Sequence, residues 1–330
     1  MTAIHGFSRH GGRLAQARAA YPHAPLPWID LSTGINPHPW TGRRAMSADL
    51  ARLPDPIAVA ALEASAGRVF GLSDPDRIAA VAGAEVGLRL LPMLTRARSV
   101  AIVGPTYSGH AEAWTGAGVR VIEATLDAIP DADAVVIVNP NNPDGSIASV
   151  EFLIELAQRQ AARAGWLIVD ESFVETTPDS SIAAQAGGAL IVLRSFGKFY
   201  GLAGVRLGFV LADPELITHL KRLTGDWPIS AEAIAAGAAY DDPTWADAMR
   251  VRLARDARKL DRVLIRAGLS VVGGTDLFRL AHTPKAADLF DHLCRSGILT
   301  RPFAEAPDRL RFGIPPRGAW KRLEQALEAA

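Results

Sequence analysis

A single cysteine, Cys294, occurs in 330 residues, so an internal disulfide is impossible and no thiol cluster can hold zinc. Neither sign of charge is in excess. The chain has 35 Lys and Arg against 35 Asp and Glu, and without a clustered basic surplus there is no electrostatic footprint for nucleic acid or an anionic membrane. No run of about 18 apolar residues is present to span a bilayer, and the opening MTAIHGFSRHGGRLAQARAAYP lacks the apolar core of a secretory signal. A soluble, cytoplasmic protein is expected. Histidines at metal-binding spacing are missing, as are internal repeats and low-complexity tracts. What remains is 49% hydrophobic and 21% charged, too apolar for a disordered chain. At roughly 100 to 200 residues per domain, it is long enough for about two domains.

The middle of the chain alternates short β-branched runs with helical patterns, as a βαβ sheet covered on both faces does. Strands are expected over 100–103, 119–123, 134–139, 167–170, 190–194 and 205–211, about six in one sheet, with helices near 85–94 and 150–163. Beyond residue 214 the pattern changes to a charged amphipathic stretch (VRLARDARKLDRVLIRA), then LSVVGG, FRLAH, a helix over 284–296, LRFGIP and a final helix. That is a smaller α+β domain. The first 40 residues, with LPWIDLSTGINPHPW, are rich in Pro and Gly and read as an extended arm. The expected organisation is an arm over 1–40 packing with the small domain, a large domain over 41–225 and a small domain over 226–330. The fold class is α/β, with a mostly parallel mixed sheet in the large domain. Trp28, Trp40 and Trp227 are expected in core or arm packing.

Three segments point to chemistry. In SFGKFYGLAGVR, Lys198 directly follows a buried strand and sits among Phe, Gly, Tyr and Leu. Desolvation there would lower its pKa and make it a Schiff-base nucleophile. The plainer alternative is a snorkelling surface lysine in a Gly-rich loop. In LIVDES, Asp170 falls at the C-terminal end of a parallel strand, the edge where open α/β sheets bind ligands. It could cap a helix or bind a metal, but an aromatic nitrogen cation would serve equally well as its partner. In VIVNPNNPDG, Asn139, Asn141 and Asn142 alternate with Pro140 and Pro143 after another strand, a pattern that by itself is also good turn chemistry.

Taken in this order, the three segments resemble one family, the fold-type I pyridoxal-phosphate enzymes of aminotransferase class I and II. The resemblance runs from DLSTGINP to the last helix. It implies pyridoxal 5'-phosphate as cofactor, with Lys198 bonded to its aldehyde carbon, Asp170 paired with the pyridinium nitrogen and Asn142 on the phenolic oxygen. The family's phosphate-binding Arg follows the Lys by eight positions, which gives Arg206, and the hydroxyl three before it is Ser195. Gly83, Ala84 and Glu85 open a helix, so the N–H groups of Ala84 and Glu85 can hold the phosphate at its positive end. Tyr107 matches the aromatic that stacks on the ring, with a core tyrosine as its bland reading. Arg311, in LRFGIP, matches the carboxylate clamp, planar and bidentate.

The cofactor motifs leave the reaction open, because it depends on which bond at the substrate Cα lies across the ring plane. Other segments are informative: His10-Gly11-Gly12, the stretch DLSTGINP, the whole block LRSFGKFYGLAGVRLGF, and Gly273-Gly274-Thr275 before Leu277-Phe278. Together they resemble the short threonine-phosphate decarboxylases of cobalamin biosynthesis. This implies loss of CO2 from L-threonine O-3-phosphate, a phosphorylated small-molecule substrate. His10, Asn36 and Arg301 are candidates for its phosphate, and Gly11 and Gly12 let the arm's backbone approach closely. An ordinary surface role is the alternative for Arg301. A homodimer is expected, with no nucleic-acid or membrane partner.

Two positions depart from the family pattern. Phe173 stands where a Tyr often reaches the ring oxygen, leaving that atom to Asn142. Leu53, before Pro54-Asp55-Pro56, stands where many relatives place a Tyr that reaches the partner subunit's cofactor phosphate. The alternatives are a histidinol-phosphate or aromatic aminotransferase and, from another class, a non-catalytic regulatory module on the same fold. The arm argues against the first. The lack of a basic helix-turn-helix ahead of the fold argues against the second. A dehydrogenase is excluded because no G-x-G-x-x-G follows the first strand.

Overall fold

The computed structural model describes residues 6–42 and 50–330. Their strands, in chain order, are β1 (Ile29–Asp30), β2 (Ile78–Val81), β3 (Ser99–Val103), β4 (Arg120–Ala124), β5 (Ala134–Val138), β6 (Trp166–Asp170), β7 (Leu190–Ser195), β8 (Gly208–Leu211), β9 (Ser270–Thr275), β10 (Phe278–His282), β11 (Ile298–Leu299), β12 (Arg301–Pro302) and β13 (Arg309–Gly313). Two compact units divide the chain. One holds Pro39–Asn142 and Ser146–Ala246, and the other holds the residues before Pro39, Pro143–Gly145 and Asp247–Ala330.

The first of these units is built on a seven-stranded sheet in the order β2-β8-β7-β6-β5-β3-β4. All of its strands run parallel except β8, which is antiparallel to both β2 and β7. The strands β2, β3 and β5 are buried along their whole length, as strands covered on both faces must be. The sequence reading placed six strands here. The seventh, β2, reads Ile-Ala-Ala-Val, and its two alanines carry little strand propensity. Because the strands are parallel, the C-terminal ends of β2, β3, β5, β6 and β7 share one edge of the sheet. After β2 that edge continues into Ala82-Gly83 and the helix Ala84–Thr95. After β3 it continues into Gly104 to Tyr107.

Residues 226–246, assigned by sequence to the smaller domain, are held in this unit by aromatic packing. The Tyr240 ring, in the 3-10 turn Gly237–Asp241, lies 5.2 Å from Tyr200, 5.4 Å from Phe70 and 5.6 Å from Phe196. These contacts hold the segment against the Lys198 loop.

The second unit carries an antiparallel sheet in the order β12-β13-β10-β9, with the helices Ala286–Arg295 and Trp320–Glu328. The N-terminal arm completes it. The arm's β1 pairs in parallel with β11, Ile29 opposite Ile298, and Gly313 N–H donates to Leu31 O at 2.7 Å. Leu31, Leu264, Phe290, Phe312 and Leu323 form its core. The arm is not extended throughout, since Leu14–Ala20 is helical. In Ala286–Arg295 the residues Leu289, Phe290, Leu293 and Cys294 form the buried stripe; burial pushes the Cys294 thiol up to about 12. Trp28 and Trp40 are buried as expected, whereas Trp227 is 53% exposed and is not a packing residue. Among the described residues no helix is long and apolar enough to cross a membrane, and no group of three or more His, Cys, Asp or Glu could hold a metal.

Candidate active site

The shared strand edge of the sheet brings most of the expected cofactor residues together. Asp170 ends β6 and is 5% exposed. Its Oδ1 accepts from Ser172 N–H at 2.9 Å and from Ser172 Oγ at 2.5 Å, and its Oδ2 lies 3.0 Å from His110 Nε2. Burial works against a charged carboxylate here. The His110 contact and the two Ser172 hydrogen bonds outweigh it and hold Asp170 below the usual carboxylate range. Since a carboxylate only accepts, His110 Nε2 must carry the hydrogen. The ring's Nδ1 is buried without a hydrogen-bond partner among the described residues.

The next strand contributes two residues. Ser195 ends β7 and leads into the single helical turn Phe196–Phe199 that carries Lys198. Lys198 is half-buried, and its Nζ lies 5.6 Å from the centre of the Phe173 ring. The residue that departs from the family pattern therefore packs an aromatic face toward the lysine. Beneath these strand ends, Arg194 donates to Glu171 Oε2 at 2.8 Å and to Glu175 Oε2 at 2.5 Å, and its guanidinium covers Phe70 at 4.2 Å. The buried Arg194–Glu171 pair ties the ends of β7 and β6 together, where Asp170 lies opposite Leu193.

A cradle forms where β2 ends. Gly83 has φ +88° and caps the helix Ala84–Thr95 without a side-chain hydrogen bond. A Cβ on Gly83 would stand 2.4 Å from Arg206 Nη2, and one on Gly208 would stand 2.3 Å from Ala84 N. Only glycine lets the guanidinium and strand β8 approach the helix start so closely. Arg206 itself adopts a left-handed backbone, φ +58°, and Nη1 donates to Ala203 O at 3.2 Å. Helix-start N–H groups, a hydroxyl strand end at Ser195 and a guanidinium make a donor set suited to a phosphate dianion.

Tyr107 precedes the helix Ser108–Gly116 and donates from its hydroxyl to Glu85 Oε2 at 3.2 Å. Glu85 also accepts from Arg89 Nε at 2.7 Å. Burial and the Glu85 carboxylate raise the Tyr107 pKa well above the ordinary phenol value. Asn142 is half-buried, one residue after Asn141, whose Oδ1 accepts from Thr106 Oγ1 at 2.7 Å.

In the other unit, Arg311 lies on β13 opposite Arg301 of β12. Arg311 Nη2 donates to Ser32 O at 2.9 Å, and its guanidinium rests on Phe278 at 4.9 Å. Burial, and then the Arg301 cation, pull Arg311 down to about 9. It is still charged at neutral pH and favours any anion brought to it. Arg301 Nη2 donates to Arg9 O at 2.6 Å, so this side chain, proposed from sequence as a phosphate ligand, also anchors the arm. A Cβ on Gly11 would stand 2.4 Å from Ser32 O. Gly12 N–H donates to Ser32 Oγ at 2.7 Å. Asn36 is buried and accepts from His38 N–H at 2.8 Å, while His10 is half-buried in the arm.

Sequence reasoning missed His110, Ser172 and the side-chain role of Glu85. His110 had a usable signal, since it falls in the first turn of the helix that leaves the β3 end of the ligand-binding strand edge. Ser172 had another, because a hydroxyl two residues after an Asp is the usual Asx-turn partner.

The sequence profile of aminotransferase class I and II matches residues 27–329. Over 325 residues the chain is 40% identical to a threonine-phosphate decarboxylase of Pseudomonas aeruginosa, covering 96% of each. It is also 40% identical, over 329 residues, to a threonine-phosphate decarboxylase of a Sinorhizobium species, covering 96% of this chain and 97% of that one. A solved structure of histidinol-phosphate aminotransferase from Sinorhizobium meliloti in complex with pyridoxal-5'-phosphate aligns with a TM-score of 0.81 at 21% identity, covering 96% of this chain and 94% of that one.

Proposed function

The chain belongs to the aminotransferase class I and II family, and from that membership we propose that it is a pyridoxal-phosphate enzyme. Its reaction removes CO2 from L-threonine O-3-phosphate and gives (R)-1-amino-2-propanol O-2-phosphate for cobalamin biosynthesis. The observation that carries the reading is 40% identity to threonine-phosphate decarboxylases over nearly the full length of both partners. The homodimer and the cytoplasmic location expected from the resemblance belong to the same proposal.

The residues present suit this cofactor. The glycine cradle beside Arg206, the helix start at Ala84 and Glu85, and Ser195 supply donors for its phosphate. A buried carboxylate held ionised at Asp170 suits a protonated ring nitrogen. When bound, pyridoxal phosphate supplies an electron sink for the pair left on the substrate Cα as the carboxylate departs.

The protein's part is positioning and proton control. Asp170 keeps a proton on the ring nitrogen, and His110 and Ser172 keep Asp170 charged. Tyr107, whose hydroxyl is tied to Glu85, would pack against the cofactor's ring, and Asn142 would donate to its ring oxygen. Lys198 would hold the cofactor before substrate arrives, and as an ammonium group it would return a proton to the substrate Cα. Arg311 orients the substrate carboxylate. His10, the Gly11 N–H, Asn36 and Arg301 hold the substrate phosphate, a mixture of neutral and cationic donors suited to a dianion.

The test uses purified protein loaded with pyridoxal phosphate and given L-threonine O-3-phosphate with no keto acid. CO2 release with the starting absorbance restored is the expected result. No CO2, with conversion of the cofactor to its pyridoxamine form, would make the enzyme an aminotransferase.

A further inference from the structure

The pair Gly273-Gly274, set apart in the sequence, has no part in the roles assigned above. In the fold it meets the tip of the loop that carries Asn142. The base of this loop is fastened through Asn141. Its N–H donates to Ser146 O at 2.8 Å, its Oδ1 accepts from Thr106, and its Nδ2 donates to Pro105 O at 3.0 Å. The tip, Pro143–Gly145, groups with the C-terminal residues, and there Gly274 N–H donates to Asp144 O at 2.6 Å.

Glycine is required on both sides of this contact. A Cβ on Gly273 would stand 2.2 Å from Asp144 O, and one on Gly145 would stand 2.0 Å from Gly274 O, far inside van der Waals distance. Gly145 has φ +72° and Gly274 has φ +142°, both disfavoured for any residue with a side chain. Asn142 lies between the two fastened points, adjacent to Asn141 on one side and two residues from Asp144 on the other.

We propose that the Asp144–Gly145/Gly273–Gly274 contact is a backbone latch that positions Asn142, so that these glycines are positioning residues for the cofactor's ring oxygen. The inference rests on the pyridoxal-phosphate reading above. With base and tip both fixed, the loop has no slack. Opening the tip moves the Asn142 amide out of the narrow range in which a hydrogen bond is strong. The amide stabilises negative charge on the ring oxygen, so its loss makes the neighbouring cofactor nitrogen hold its proton to higher pH.

The experiment titrates the visible absorbance of bound pyridoxal phosphate against pH, without substrate, in the wild type, Gly145→Ala, Gly273→Ala and their double variant. Asn142→Ala sets the full effect. Gly118→Ala is the control, because Gly118 has φ +76° and an added Cβ there meets nothing within 4 Å. Each latch variant should move the midpoint upward by about one pH unit, the size of a lost hydrogen bond to a charged oxygen. The double variant should move it no further than a single one, and Gly118→Ala should not move it. Should one latch variant fail to fold, the other reads the same contact from the opposite side. Latch variants that bind the cofactor and titrate at the wild-type pH overturn the latch alone. A wild type that binds no pyridoxal phosphate overturns the cofactor reading, and the latch with it.

Discussion

The contacts around Asp170 and Tyr107 in one unit, and around Arg311 and Arg301 in the other, differ greatly in reach along the chain. On the sheet edge, the groups around Asp170 and Tyr107 are close in sequence: Ser172 lies two residues from Asp170, Glu85 lies 22 from Tyr107 and His110 lies 60 from Asp170. In the other unit, Arg311 reaches Ser32 across 279 residues and Arg301 reaches Arg9 across 292. The partners differ as well. Asp170 is met by hydrogen-bonding side chains that stabilise its charge. Arg311 donates to a main-chain carbonyl, and burial and the Arg301 cation pull its pKa down while the Asp30 carboxylate works the other way. On the reading proposed above, one unit holds the cofactor. On the same reading, the other supplies the cation that meets the substrate carboxylate.

Three substitutions test that distinction. Lys198→Ala should abolish the visible absorbance of the bound cofactor and lower kcat by roughly four orders of magnitude or more, the scale of losing a covalent-catalysis residue. Absorbance and steady-state turnover check both, and retained turnover would remove the central assignment. Arg311→Ala should raise KM by roughly 100-fold while leaving the affinity for pyridoxal phosphate unchanged; an unchanged KM would point to a different carboxylate clamp.

His110→Phe should act in the opposite sense, weakening pyridoxal-phosphate binding by about tenfold with a smaller effect on KM. It also has a pH signature. The folded-state pKa of Asp170 lies below its ordinary 3.8, so its contribution to stability is present above that value and is lost as pH falls through the lower folded value. Without His110, burial is less opposed and the folded value rises. The acid-unfolding midpoint of His110→Phe should then lie at higher pH than that of the wild type, as measured by circular dichroism.

The same difference in reach explains what the sequence made legible. Asp170 and Lys198 stand at or just after strand ends, which are visible as β-branched runs stopping at polar residues, whereas Ser195 and Arg206 followed from the family's spacing to Lys198. The strand β2 was missed because Ile-Ala-Ala-Val owes its place to burial between neighbours more than to its own propensity. The arm could be recognised as a segment, but neither the pairing of Ile29 with Ile298 nor the bond from Arg301 to Arg9 has any local signature. Residues 226–246 were assigned to the wrong side of a boundary for the same reason, since the rings that capture Tyr240 come from Phe70, Phe196 and Tyr200. The loop 142–145 read as turn chemistry. That its tip is fastened by two glycines about 130 residues later follows only from the fold.

The pairing of β1 with β11 has a consequence for synthesis. A ribosome releases residues 39–246 long before residues 298–313, so the seven-stranded sheet can complete itself on the nascent chain. The arm, made first, has no strand to join until nearly the last residues emerge. During that interval Trp28, Ile29 and Leu31 are apolar and uncovered, the time at which a chaperone would most readily find them.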